Sequence, residues 1–309
     1  MSETVLLTGA SGFLGTAVAE LLIENGYRLK CMVRKKGSLR KRFLCEEIVA
    51  DINKPDSLSG ISKSTDIVVH VAGLTKSLKS SEFYKVNYEG TKNLINSLDK
   101  SVKHFIYISS LSAAGPRKKP KEKSFPVSHY GKSKLLAEKE TMKLKISKTI
   151  IRPPALYGPY DKDFFTVFRS IKKGYALIPK SENFLSLMHV KDAARAVLFA
   201  IKNGKNRIYE IDDGAAHKQL DIIKTIIQIV NPKARLISVP IALINMIKIV
   251  SCTGIFGALI NPDKLTESKH SWVADSSLIA SEGFLPKITL EDGLRAVSQW
   301  YENNNWYKK

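Results

Sequence analysis

The stretch "TGASGFLG", Thr8 to Gly15, follows the apolar run Val5-Leu6-Leu7 and leads into Thr16–Glu24. In that last segment Val18, Leu21 and Leu22 recur at helical spacing. A strand, a turn with glycines at 9, 12 and 15, and a helix therefore stand in that order. Such a turn is either a flexible connection or a phosphate cradle. Its context favours the cradle, because backbone N–H groups at a helix start face an anion and the helix dipole favours negative charge. Gly9 would allow the turn, Gly12 close backbone approach, and Gly15 tight packing of helix on strand. The spacing is GxxGxxG, not the commoner GxGxxG, so the rest of the chain has to decide.

Asn25-Gly26 stops the helix, and Arg28–Val33 reads as a second strand. Ile48-Val49-Ala50, Ile67–Val71 and Phe105–Ser109 supply a third, fourth and fifth, with a helical pattern at Tyr88–Leu98. Ile150-Ile151 gives a sixth strand before "RPPALYGP". Strands alternating with helices predict an α/β protein with a Rossmann-type, doubly wound parallel sheet. Beyond it the alternation loosens. Ala193–Lys202 reads as helix, Arg207–Ile211 as extended, Gln219–Val230 as helix, and Leu290–Asn303 as a last helix. The expected division is a sheet domain over 1–155, with 188–211 returning to it, and a smaller mixed substrate domain over 156–309.

Composition narrows the function classes. Apolar residues make up 44% of the 309, enough to fill a core. Met-Ser-Glu-Thr runs directly into the first strand, so no secretory signal is expected. Cys31, Cys45 and Cys252 show no CxxC or His-rich spacing, which predicts reduced thiols in a cytoplasmic setting and no metal site. The charge is unusual: 49 Lys+Arg against 29 Asp+Glu, formally +20. Nucleic acid is not the expected partner, because the runs Arg34–Arg42 and Arg117–Lys123 carry almost no aromatics for base stacking. A basic surface suited to anionic ligands or membranes fits better.

Four motifs then fall in order: "TGASGFLG", "HVAG" (His70–Gly73), "YGKSK" (Tyr130–Lys134) and "RPPALYGP" (Arg152–Pro159). Together they resemble the extended short-chain dehydrogenase/reductase family, which includes nucleotide-sugar epimerases and dehydratases. The likeness runs to the ending "SEGFLPKITLEDGLRAVSQWYENNNW". It implies a nicotinamide dinucleotide bound by Gly9, Ser11, Gly12, Phe13, Leu14, Gly15, Arg34, Asp51, Ile52, Ala72, Gly73, Tyr130, Lys134 and Pro153. A basic residue at the end of the second strand accommodates a 2′-phosphate, so Arg34, followed by Lys35-Lys36, favours NADP(H) over the alternative NAD(H). Arg34 also reads as part of a solvated loop, and Asp51 as a turn residue in "DINKPDSL".

Tyr130 and Lys134 are four apart and share a helix face. A phenol with a pKa near ~10 is a poor acid/base at neutral pH unless a cation favours its ionised form. The resemblance gives Lys134 that role and the nicotinamide ribose as well, Tyr130 the proton transfer, and Ser110 the orientation of the substrate oxygen. Ser109 is the neighbouring alternative to Ser110, and Ser112 the third. Asn87 reads as a structural asparagine or a helix cap, His70 as a packed histidine beside the cofactor, and His189 as a corner seating a helix.

Departures from the family pattern direct the choice of substrate. Leu111-Ser112 stand where dehydratases carry Asp-Glu, and Ala155 where many epimerases carry Asn. "NFLSLMHV" and "NPDKLTESKHSWVADSS" lack the usual late arginines. In their place comes the apolar stretch Val239–Ile260, with Asn245, Lys248 and Ser251 or Cys252 as a narrow polar stripe. A membrane span is disfavoured, since a central Lys costs roughly 2.5–3.5 kcal/mol there. The segment reads as a buried helix or lid, an apolar substrate pocket, a dimer contact, or a peripheral membrane contact aided by the charge. The leading expectation is an enzyme interconverting a secondary alcohol and a ketone, with a homodimer implied by the resemblance. The alternatives are a nucleotide-sugar epimerase with tightly held NAD, and a non-catalytic dinucleotide-binding interaction protein.

Overall fold

The computed structural model describes residues 2–240 and 262–308. The strands are β1 (Thr4–Thr8), β2 (Arg28–Val33), β3 (Glu46–Val49), β4 (Ile67–His70), β5 (His104–Ile108) and β6 (Ser147–Arg152). They continue with β7 (Ala155–Tyr157), β8 (Tyr175–Pro179), β9 (Phe184–His189), β10 (Arg207–Glu210), β11 (Ala216–Lys218) and β12 (Arg235–Val239). The helices are α1 (Phe13–Glu24), α2 (Ser80–Phe83), α3 (Gly90–Asn96), α4 (His129–Met142) and α5 (Lys162–Lys172). After them come α6 (Val190–Asn203), α7 (Gln219–Val230), α8 (Pro262–Glu267), α9 (Ser277–Ser281) and α10 (Leu290–Asn303).

Seven strands form one sheet in the order β10-β6-β5-β4-β1-β2-β3. Every pairing in it is parallel. Such a sheet needs cover on both faces, and alternate side chains supply it. Val5, Leu7, Ile106 and Ile108 join Val18, Leu22, Val197 and Ala200 of α1 and α6 in one core. Leu6, Val68, Phe105 and Tyr107 join Leu94 and Ala137 of α3 and α4 in the other. Each Val, Leu, Ile or Phe among them contributes about 1.5–3 kcal/mol on burial. The strand order reverses between β1 and β4, which opens a crevice beyond their carboxyl ends. Gly9 and the Val71–Gly73 loop border that crevice.

The remaining strands form two small sheets, β11-β9-β7 and β12-β8. With α5, α7 and α10 they enclose Tyr157, Phe168, Leu294 and Tyr301. β10 belongs to the large sheet, so the chain returns to it after β9. His189 caps α6 there, its Nδ1 accepting the Lys191 N–H at 3.3 Å.

The helix expected at Tyr88–Leu98 begins earlier, at Ser80, and passes through a wide π-type turn at Tyr84–Glu89. That turn faces Asn87 inward, which explains why its apolar spacing departs from regular helical periodicity. Of the apolar stretch Val239–Ile260, Val239 ends β12; Asn245, Lys248, Ser251 and Cys252 lie outside the described residues. Among the described residues no helix is long and apolar enough to cross a membrane, and no His/Cys/Asp/Glu group could hold a metal ion.

Candidate active site

The glycine turn leaves no room for a side chain at Gly9 or Gly15. Gly9 has φ +72°, and a Cβ on it would stand 2.7 Å from the Ala72 backbone nitrogen. A Cβ on Gly15 would run into the Gly9 carbonyl. The Gly12 N–H closes the turn on the Gly9 carbonyl at 2.8 Å. Gly12 then caps α1 without a side-chain bond, and no acidic residue stands in the helix's first turn. A positive helix end uncompensated by a carboxylate suits a diphosphate, so this cradle fits a dinucleotide.

A buried hydrogen-bond chain ties β1 to β4 behind it. The Ala72 N–H donates to Thr8 Oγ1 at 3.1 Å, and Thr8 Oγ1 lies 2.7 Å from His70 Nδ1. Thr91 Oγ1 donates to the Asn87 carbonyl at 2.6 Å, so it accepts from His70 Nε2–H at 2.9 Å. His70 Nδ1 is then the acceptor for Thr8. Burial first, and the charge of Lys134 second, push the His70 pKa down to about 3. His70 is a neutral packed histidine, as its sequence position suggests.

Arg34, Lys35 and Lys36 are exposed just past the end of β2. Asp51 Oδ1 accepts the Asn53 N–H at 2.9 Å, so its carboxylate serves its own turn. Ile52 is buried, and a Cβ on Gly90 would press on it at 2.8 Å. A Cβ on Gly73 would stand 3.1 Å from Asn87 Oδ1 and 3.3 Å from Lys134 Nζ. Gly73 thus lies directly over the helix that carries Lys134. Pro153 is buried, and its carbonyl accepts the Leu111 N–H at 2.8 Å.

The α4 helix brings the expected reacting groups together. Ser128 caps it, its Oγ accepting the Gly131 N–H at 3.0 Å. A Cβ on Gly131 would run into the Ser112 carbonyl, so α4 packs tightly on the turn after β5. That packing sets the Ser110 hydroxyl against Tyr130 as a hydrogen-bond partner. Ser109 and Ser112, the two alternatives to Ser110, are committed elsewhere: Ser109 donates to Glu138 Oε1 at 2.5 Å, and the Ser112 hydroxyl is a hydrogen-bond partner of Glu267. Lys134 is buried; its Nζ donates to the Ile108 carbonyl at 2.7 Å and lies 4.7 Å from the Tyr107 ring centroid.

The electrostatics depart from expectation in one respect. Burial pushes the Tyr130 pKa up to about 12; Ser110 opposes this and Glu267 adds to it. Burial also pushes Lys134 down to about 7, with Glu138 opposing. The ammonium turns toward a carbonyl and a ring face, and the group favouring the phenolate is Ser110. The expected lowering of the Tyr130 pKa by Lys134 is therefore not the arrangement found.

Several neighbours carried no role in the sequence reading. Arg152 forks onto Glu138, with Nε–Oε1 2.8 Å and Nη2–Oε2 2.6 Å. Its Nη1 reaches Glu210 Oε1 at 3.4 Å, and Glu210 also pairs with Arg117 and accepts the Asp275 N–H. On the opposite side α8 supplies two carboxylates. Asp263 Oδ2 accepts the Tyr130 backbone N–H at 2.8 Å, and Glu267 Oε1 accepts from Ser128 Oγ at 2.7 Å. Glu138 was visible as the residue one turn beyond Lys134. Asp263 had no local signal.

Comparison with known proteins agrees with this fold. Over 99% of its length the chain is 27% identical to the ceramide reductase of Caulobacter vibrioides, covering 96% of that protein. It is 28% identical to the UDP-glucose 4-epimerase of Vibrio cholerae, covering 99% of this chain and 97% of that protein. The crystal structure of gox2253 superposes with a TM-score of 0.81 at 26% identity, over 98% of this chain and 99% of that one. For the fold alone, the UDP-glucose 4-epimerase of Thermotoga maritima superposes with a TM-score of 0.80 at 21% identity, over 98% and 99%. The description "NAD dependent epimerase/dehydratase family" matches residues 5–212, a span that holds all four sequence motifs, and the chain belongs to that family.

Proposed function

We propose that the protein is an NADP(H)-preferring oxidoreductase that interconverts a secondary alcohol and a ketone on a largely apolar substrate. The observation that carries this reading is how the arginines beside the cleft are used. Arg152 and Arg117 are spent on Glu138 and Glu210, and no arginine occurs from 236 to 294. Asp263 and Glu267 stand beside Tyr130 instead. A diphosphate-bearing substrate would meet carboxylates there, whereas a neutral one meets no repulsion. The relative named for reduction of ceramide supports a lipid-like substrate for this chain.

In this reading Tyr130 exchanges a proton with the substrate oxygen, Ser110 donates a hydrogen bond to that oxygen, and Lys134 holds the nicotinamide ribose. The dinucleotide, when bound, supplies the hydride acceptor or donor. Gly9, Ser11, Gly12, Phe13, Leu14 and Gly15 take its diphosphate, and Arg34 a 2′-phosphate. Asp51 and Ile52 border the adenine; Ala72, Gly73 and Pro153 border the nicotinamide side. A homodimer and a peripheral membrane contact favoured by the +20 charge belong to the same proposal. The full-length likeness to the Vibrio cholerae epimerase favours a second reading, a nucleotide-sugar epimerase that keeps its NAD.

Denaturing fresh protein and identifying any released dinucleotide by mass spectrometry separates the two. Stoichiometric NAD supports the epimerase. Little bound cofactor, greater thermal stabilisation by NADPH than by NADH, and NADPH oxidation with long-chain ketones support the oxidoreductase.

A further inference from the structure

The basic loop between β2 and β3 contains one arginine placed differently from the rest. Arg40 Nε donates to the Ser11 carbonyl at 2.9 Å, so the side chain lies back across the glycine turn. Its guanidinium carbon lies 5.5 Å from the centroid of the Tyr160 ring. The next residue, Lys41, pairs with Glu20 of α1 and pins the loop in that position. Among the described residues, the two Nη groups of Arg40 have no protein acceptor.

This placement is electrostatically unfavourable by itself. The positive end of α1 has no acidic residue in its first turn, and a cation is held against the same turn. An exposed hydrogen bond to one carbonyl offsets little of that. An anion between the helix end and the guanidinium would satisfy both, and the free Nη edge presents the planar fork that suits phosphate oxygens.

Tyr160 gives the arrangement a second function. It follows "RPPALYGP" directly and has φ +73°, the left-handed region that costs a non-glycine residue about 1–2 kcal/mol. Its ring meets Trp300 of α10 at 4.7 Å between centroids, an edge contact that helps to hold this conformation. Arg40 therefore joins the glycine turn to the layer of small sheets and helices that holds Tyr160 and Trp300.

We propose that Arg40 is a strap that binds the diphosphate of the dinucleotide across the glycine turn, and that its contact with Tyr160 slows the release of that ligand. The inference rests on the dinucleotide reading of the turn and goes beyond it. Arg34 at the strand end and Arg40 over the turn have separate roles: Arg34 distinguishes a 2′-phosphate, and Arg40 holds any nucleoside diphosphate.

Calorimetric titration with NADPH, NADH and ADP at several salt concentrations tests this. Arg40→Gln should weaken all three ligands by about tenfold, keep the NADPH-to-NADH ratio, and flatten the salt dependence. Arg40→Lys should keep the salt dependence while losing part of the affinity, which a purely structural role would not predict. Arg34→Gln should weaken NADPH alone. Tyr160→Ala should speed NADPH dissociation in stopped flow, and Tyr160→Phe should leave it unchanged. Unchanged NADH and ADP affinities in Arg40→Gln, or a loss confined to NADPH, would overturn the strap. A wild-type chain that binds none of the three would overturn the dinucleotide reading and the strap with it.

Discussion

The backbone N–H of Tyr130 donates to Asp263 Oδ2 at 2.8 Å, across 133 residues of sequence. A carboxylate from α8 thus completes the first turn of the helix that carries the tyrosine. Asp263→Ala should lose that acceptor, at a cost of about 1 kcal/mol for a helix-start contact. Steady-state kinetics should show a several-fold lower kcat with little change in the KM for the dinucleotide. Asp263→Asn keeps an acceptor oxygen and should retain most of the rate.

Tyr130→Phe removes the proposed proton donor and leaves the ring packed against Phe83, whose centroid is 5.9 Å away. Turnover should fall by about 10²–10⁴-fold. Titration with NADPH should give an unchanged affinity, because the hydroxyl is proposed to act on the substrate. A variant with wild-type turnover would remove Tyr130 from the chemistry.

Local pattern carried a good deal of this. β2, α7 and α10 fall at the bounds that apolar spacing and stop signals predict. Tyr130 and Lys134 were readable because i and i+4 share a helix face, and Gly9 and Gly15 because a turn between strand and helix has no space for Cβ atoms. What escaped depends on distance in sequence. Nothing near Tyr130 points to Asp263, and nothing near Ser11 points to Arg40. The Ser80–Glu89 region escaped for a different reason: a wide turn breaks the period of 3.6 on which helix recognition depends. The direction of the Tyr130 pKa was hidden as well, since burial and the neighbours of a buried ammonium are set only by tertiary packing.

Stability should rise with pH across two windows. His70 is pushed down to about 3, and His104 and His189 each to about 4, with burial the leading cause in every case. The unfolded chain takes up protons on these rings below about 6.5 while the native one does not, so stability falls as pH drops from there toward 3–4. Lys134, pushed down to about 7 by burial, acts in the same direction between there and about 10.4, its unfolded value. Asp161, pushed up to about 6 by burial, acts in the opposite direction below that pH, so thermal melts should give a Tm that falls between neutral pH and about 4 by less than the three rings alone would set. Replacing His70 with Gln should flatten that acid limb; an unchanged limb would show that the buried ring does not drive it.

Glu138 connects α4, the helix that carries Tyr130 and Lys134, to a buried ionic network. Its carboxylate receives Ser109 and both faces of the Arg152 fork, and Arg152 continues to Glu210. Removing one member leaves a buried charge without its partner, which costs about 3–5 kcal/mol, whereas replacing both charges by apolar groups is often close to neutral. Chemical denaturation should therefore find Glu138→Met and Arg152→Met each strongly destabilised, and the double variant less so than the sum of the two. Glu138 also opposes the desolvation of Lys134 one turn away, so its loss should lower the lysine's pKa further. The more conservative Glu138→Gln, read at a temperature where it remains folded, should shift the pH profile of kcat, whereas Lys143→Gln, at an exposed lysine paired with Glu140, should leave the profile where it is in the wild type.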